Sequence, residues 1–184
     1  MLFVVIIVLY GCSENVDKIE DKNSSVIKNV EKSEYFILDD GKGRELNISI
    51  NNSKLLVKDR RESIILFNIF ASWCKPCMGQ IPYLAEVQKR ESEDLLIIGV
   101  SINDNKSPEA LNRIFENSNI RYFISKGRRD IAFVDKIREE LKLNKNFTIP
   151  LSIIYKDGKL YRYYEGSIPM EMLETEIKNA KKLL

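Results

Sequence analysis

Residues 63–77 read SIILFNIFASWCKPC. From Ser63 to Phe70 the run is almost entirely β-forming, with Asn68 its one polar interior position. A continuous apolar run of this length is what a strand covered on both faces shows. The run gives way to Ala71-Ser72-Trp73 and then to Cys74-Lys75-Pro76-Cys77. Proline is accepted in the first turn of a helix, where a missing N–H costs little, so Pro76 predicts a helix beginning around Cys74 and running to about Arg90. A cysteine at that point meets the unpaired amides and the positive end of the helix dipole, and both favour its thiolate. Lys75 adds a positive charge that solvent weakens. Cys77 falls one turn further on and is expected to be the more buried of the two. The spacing predicts a division of labour: Cys74, exposed and acidified, attacks a partner disulfide, and Cys77 resolves the mixed disulfide.

Working outward, Leu95–Ser101 (LLIIGVS) is a second buried strand, joined to the first by the predicted helix as a parallel crossover. Upstream, Tyr35–Leu38, Glu45–Ile50 and Leu55–Val57 read as short strands, with a turn over Asp39–Gly43. Downstream, Ser107-Pro108 is an N-cap followed by proline and starts a helix with Leu111, Ile114 and Phe115 on one face. Arg121–Ser125 is a short strand. Arg129–Leu143 reads as a helix with Ile131, Val134, Ile137 and Leu141 inward. Ile149–Tyr155 enters a strand, Asp157-Gly158 turns it, and Leu160–Glu165 returns as a hairpin. Pro169 opens a last helix with Met170, Leu173, Ile177 and Ala180 inward. The fold class is α/β, a central mixed sheet with helices on both faces.

Composition narrows the chemistry. The 184 residues are 44% hydrophobic and 30% charged with a net charge of +2, enough chain for one domain with a core plus a tail. The basic clusters Lys58/Arg60/Arg61 and Arg128/Arg129 are short and mixed with acids, so they read as solvated surface and no nucleic-acid partner is expected. There is no histidine, which removes the usual base near neutral pH and the commonest metal ligand. Tetrahedral zinc needs four ligands that Cys74 and Cys77 cannot supply alone, so the expected metal is none. A peroxidatic cysteine would follow a threonine three positions earlier, where Ala71 stands. A purely structural disulfide across two residues closes too small a loop to matter for stability. The working cofactor is therefore the Cys74–Cys77 pair itself.

The third cysteine has a separate setting. Residues 1–12 read MLFVVIIVLYGC. About ten apolar residues suit the core of a signal peptide and span roughly 15 Å as helix, half of a hydrocarbon layer. Leu9-Tyr10-Gly11-Cys12 resembles the lipobox of bacterial lipoproteins, which makes Cys12 the lipidated first residue of an exported chain. Residues 13–33 are polar, charged and aperiodic, as a tether would be. The expected organisation is a signal and lipobox over 1–12, a tether over 13–33 and a domain over 34–184.

WCKPC after an apolar strand, Pro82 five residues beyond Cys77, and Phe147-Thr148-Ile149-Pro150 before a hairpin together resemble the thioredoxin superfamily. The extra N-terminal strands, the Asn68-x-Phe70-Ala71-Ser72-Trp73 lead-in, the inserted helical region between Ser101 and Thr148 and the exported N-terminus resemble its TlpA/ResA-type branch. The resemblance covers about Glu34 to Leu184. It implies a thioredoxin-like fold and a cis Pro150 facing the cysteines. That proline would present the backbone of Ile149 to an extended partner segment and keep metals from the thiols. It assigns Trp73 to the rim of the site. Two positions depart from the pattern. Asn68 occupies the place of thioredoxin's buried aspartate, and Lys75 and Gln80 stand where cytochrome-maturation members carry glutamates.

The resemblance implies an exported, membrane-tethered disulfide reductase. It would draw electrons from a membrane thiol donor and act on disulfide-containing extracytoplasmic clients, apocytochrome c among them. Two other readings remain at this point: a disulfide oxidase or isomerase, and a client-binding module whose CxxC is vestigial.

Overall fold

The computed structural model describes residues 33–183 except 117–119, 121, 128 and 129. The signal and tether expectations for residues 1–32, Cys12 included, and the Arg128/Arg129 cluster lie outside the described residues. Eight strands and four helices are described, in the order β1 (Glu34–Asp39), β2 (Glu45–Asn51), β3 (Lys54–Val57), β4 (Ile64–Phe70), α1 (Lys75–Arg90), β5 (Leu95–Ser101), α2 (Pro108–Glu116), β6 (Phe123–Ser125), α3 (Asp130–Glu140), β7 (Leu151–Lys156), β8 (Lys159–Glu165) and α4 (Met170–Lys181). They form one mixed sheet of order β1-β2-β3-β8-β7-β4-β5-β6. Strands β4, β5 and β6 are parallel neighbours, and β7 runs antiparallel to β4.

Strand β4 is buried along its whole length, as its composition requires. Its alternate residues feed two cores. Ile64, Leu66 and Phe70 face α1, α2 and α4, with Cys77, Ile81, Leu84, Leu111, Phe115, Leu173 and Ile177. Ile65, Phe67 and Ile69 face α3 and the N-terminal strands, with Leu38, Ile48, Phe133 and Ile137. On that second side Phe36, Phe133, Phe67 and Tyr155 form a chain of ring contacts at 5.7, 5.0 and 6.0 Å.

Local chemistry sets the element ends. Ser107 Oγ accepts the Ala110 N–H at 3.3 Å, the predicted cap of α2. The buried Asp40 carboxylate organises the β1–β2 turn by accepting from Lys42 N at 2.8 Å, Arg44 N at 3.1 Å and Arg44 Nε at 2.5 Å. Burial pushes that carboxyl up, but these donors outweigh it and hold it below its ordinary range. Strand β6 pairs only with Ile98–Val100, so among the described residues the first half of β5, paired with β4 on one edge, has no strand on its outer edge. Gln88 of α1 fills in: its amide nitrogen donates to Leu95 O at 2.7 Å and its oxygen accepts the Ile97 N–H at 2.6 Å.

Two expectations are corrected. Ile131 is not inward but 62% exposed, and Phe133 takes the buried place in the stripe Phe133, Val134, Ile137. Asp130 accepts from Ser125 Oγ at 2.7 Å and Gly127 N at 3.1 Å, which turns that residue inward and its neighbour out. Strand β7 begins at Leu151 rather than Ile149, because Pro150 has no N–H to give a ladder.

Candidate active site

Cys74 is the N-cap of α1, with extended backbone at φ −81°, ψ 102°. Its Sγ accepts the Cys77 N–H at 3.3 Å, and its carbonyl accepts the Met78 N–H at 3.0 Å. Sulfur thus takes the place that a serine or aspartate oxygen usually fills, and negative charge on it is stabilised by the amide and dipole of the helix start. Cys74 and Cys77 are joined in a disulfide with Cα atoms 5.2 Å apart.

Exposure of Cys74 is the third correction. The residue is only 6% accessible, against 0% for Cys77. The order of burial is as expected, but the attacking sulfur reaches solvent through a small window. One wall of that window is the Ile149–Pro150 segment, whose peptide bond is cis and whose Ile149 carbonyl oxygen lies 3.9 Å from Cys74 Sγ. The sulfur carries no hydrogen in the disulfide, so this is a contact and not a hydrogen bond. Pro150 O in turn accepts the Gly166 N–H at 2.8 Å, tying the segment to the end of β8.

The structure brings Trp73, Cys74, Cys77, Ile149 and Pro150 together, with Lys75 and Pro76 exposed on the rim. Trp73 is 60% exposed, and its indole N–H donates to Asn103 O at 3.0 Å. Asn68 and Gln80 are both buried on the α1-covered side of the sheet, Gln80 one turn beyond Cys77. Gln80 also borders a groove of about 340 Å³ between α1 and the start of α4, lined by Pro76, Tyr83, Ile168 and Met170.

Sequence reasoning missed Asp104. Its carboxylate accepts the Ser72 N–H at 3.0 Å and bonds the hydroxyls of Ser72 and Ser101. Lys106 Nζ donates to Ser72 Oγ at 3.0 Å. The loop after β5 therefore holds the loop that leads into Cys74. A signal was present: β4 and β5 are parallel neighbours, and loops at the carboxyl ends of such strands converge. A polar run, Asn103-Asp104-Asn105-Lys106, at the end of β5 is thus a neighbour of the cysteines. Ser152 was also missed. It is the cross-strand partner of Asn68, two residues past Pro150.

Chemically, the arrangement offers one two-electron couple. A dithiol with a stabilised outer thiolate and a dry inner thiol exchanges with a disulfide through a mixed-disulfide intermediate.

Comparison with known proteins agrees with this geometry. A family model described as Redoxin matches residues 36–184. The thiol-disulfide oxidoreductase ResA of Bacillus thuringiensis subsp. konkukian is 24% identical over 130 residues, covering 70% of each chain. Among solved structures, StoA from Bacillus subtilis has a TM-score of 0.56 at 14% identity, covering 78% of this chain and 96% of its own. The pneumococcal exposed lipoprotein thioredoxin of Streptococcus pneumoniae has a TM-score of 0.54 at 16% identity, covering 79% and 99%. At these identities the two structures speak for the fold alone.

Proposed function

The chain belongs to the Redoxin family and is a thiol–disulfide oxidoreductase of the TlpA/ResA type, and from that premise we propose that it is an extracytoplasmic reductase of client disulfides, lipid-anchored through Cys12. The observation that carries the reading is the Cys74–Cys77 disulfide at a helix start beside cis Pro150. Clients are proteins with accessible disulfides, and electrons come from a membrane thiol donor. Apocytochrome c thiols fall within the client class. Support for the location is the Leu9–Cys12 boundary after an apolar run. Among the described residues no helix is long and apolar enough to cross a membrane.

Client binding follows from the same wall. An extended client segment pairs with the backbone at Ile149, which sets its disulfide against Cys74 Sγ. Cys74 thiolate attacks, the client's first sulfur joins Cys74, and its second leaves as a thiolate. Cys77 then attacks Cys74 and frees the client dithiol.

One observation favours the oxidase reading instead. The Cys77 N–H and the helix start stabilise a Cys74 thiolate, and stabilising the reduced form raises the potential. Superfamily potentials run from about −270 to about −120 mV, so equilibration with glutathione separates the two directions. A value near the lower end supports reduction, and one near the upper end overturns it. Reductant-dependent cleavage of insulin disulfides separates an enzyme from a binding module. Cys77→Ser is expected to trap mixed disulfides with clients and Cys74→Ser to trap almost none. Equal trapping sinks the division of labour. Mass spectrometry of the mature protein from its own host is expected to find an acylated Cys12 at the N-terminus, and a chain that keeps Met1 removes the anchor.

A further inference from the structure

Six buried side-chain atoms on the α1-covered side of the sheet have no hydrogen-bond partner among the described residues: Asn68 Oδ1 and Nδ2, Gln80 Oε1 and Nε2, Ser152 Oγ, and Tyr122 Oη, the last on the far side of Gly99 from Asn68. Asn68 and Ser152 are direct partners across β4 and β7. Gln80 is 5% exposed and lies one turn beyond Cys77 on the buried stripe of α1. Gly99 is the other neighbour of Asn68, so the row Ser152–Asn68–Gly99 carries no large apolar side chain at the centre of the sheet. An unpaired buried polar group is destabilising, because it loses water without gaining a partner, and native cores keep few of them. Apolar replacements of similar volume would fill this row at lower free energy, so a use for the polar groups is needed.

We propose that Asn68, Gln80 and Ser152 are the hydrogen-bond shell of the Cys77 thiolate, supplying donors that the disulfide leaves unpaired and the reduced state uses. A neutral disulfide sulfur is a weak acceptor; a thiolate is a strong one. The three residues reach the α1-covered side from β4, β7 and α1, the side on which Cys77 is buried. In the resolving step Cys77 gives its proton to water. The thiolate pair attacks Cys74 Sγ, the Cys74–client bond breaks, and the client sulfur leaves as a thiolate that is protonated by solvent. The dithiol loses two electrons and the client disulfide gains them. Burial alone disfavours the Cys77 thiolate, while hydrogen bonds to the charged form favour it. Neutral amides and a hydroxyl provide those bonds without setting a negative charge beside Cys74, as a carboxylate would.

The inference rests on the thiol–disulfide reading above and holds for either direction of electron flow. Its test is a comparison of the wild-type protein with Asn68→Leu and with Ser152→Ala, the second so small a change that folding is secure. In the reduced proteins the Cys77 titration is followed through its Cβ by carbon NMR, and resolution is timed in single-turnover reaction with a client mixed disulfide. The expected result is a Cys77 midpoint raised by about one unit in Asn68→Leu and less in Ser152→Ala. Resolution at neutral pH falls about tenfold and severalfold respectively, while the oxidised variants melt at or above the wild-type temperature. An unchanged titration and rate overturns the proposal. So does a lowered melting temperature of the oxidised variants with unmoved thiols, which would make these residues packing groups. A wild type that fails to cleave insulin disulfides defeats the functional reading instead, and an active wild type with unmoved variants defeats this inference alone.

Discussion

The two sides of the central sheet are made by alternate residues of the same strands, yet they are built differently. The α3 side takes Ile65, Phe67 and Ile69 from β4, Leu96, Ile98 and Val100 from β5, and Leu151, Ile153 and Tyr155 from β7, and closes with a chain of four aromatic rings. The α1 side takes Asn68, Gly99 and Ser152 from the same three strands at the same level as the cysteine helix. One side is packed for stability. The other gives up packing where it meets the redox pair. A period of two along each strand lets one segment serve both purposes without conflict.

The most severe test of that contrast is Phe67→Ala. It removes the middle of the ring chain and is expected to cost about 3–5 kcal/mol in denaturant unfolding. Turnover per folded molecule should be unchanged, and a shifted cysteine titration in this variant would break the separation of the two sides. Asp104→Ala comes next. It unbraces Ser72 beside the cysteines, with an expected stability loss of about 1–3 kcal/mol. Insulin-disulfide cleavage should fall more than the unfolded fraction explains, and a matching loss of both would make the brace purely structural.

A smaller effect separates the sides by pH. Asp40 closes the turn that follows Leu38 of the α3-side core, and its carboxyl is held below its ordinary value, burial being outweighed by Arg44 and two amides. A depressed carboxyl contributes stability that is present above its unfolded value near 3.8 and lost as pH falls through the folded one. Asp40→Asn is therefore expected to flatten the loss of stability below about pH 4, seen in melts across acid pH, with no change in the thiol titrations. The smallest effect belongs to Ile131→Lys. A side chain on the outer face of α3 should change stability by no more than about 0.5 kcal/mol. A larger loss would mean that the inward stripe of α3 includes it after all.

Much of this molecule was legible in its sequence because two local signals are strong. Buried strands β4 and β5 are unbroken apolar runs, and a cysteine followed by Lys75-Pro76 can hardly be anything but a helix start. The parts that were not legible depend on neighbours distant in sequence. Ile131 fits a 3.6 period as well as Phe133 does, and only the Asp130–Ser125 bond decides between them. The accessibility of Cys74 depends on Ile149, 75 residues on, which no spacing near the cysteine reports. Asp104 reads as a loop residue until β4 and β5 are known to end side by side. Ser152 is one hydroxyl in a strand until its partner is seen to be Asn68.

The Gln88 amide that stands in for a missing strand has a mechanical consequence. It fastens the far end of α1 to β5, 14 residues and therefore about 21 Å along the axis from Cys74. Between the two ends sits Pro82, which withholds one rung of the helix's internal ladder at the Met78 carbonyl. A rod pinned at its tail and weakened in the middle flexes rather than slides. The cysteine end, braced through Ser72, is expected to tilt by small angles toward or away from Ile149 while its register on the sheet stays fixed. Hydrogen exchange should record both halves of this behaviour: an Ile97 amide that exchanges as slowly as those inside the sheet although it points to the edge of β5 away from β4, where Gln88 and not a strand receives it, and amides around Met78 that open more readily than those at the Gln88 end.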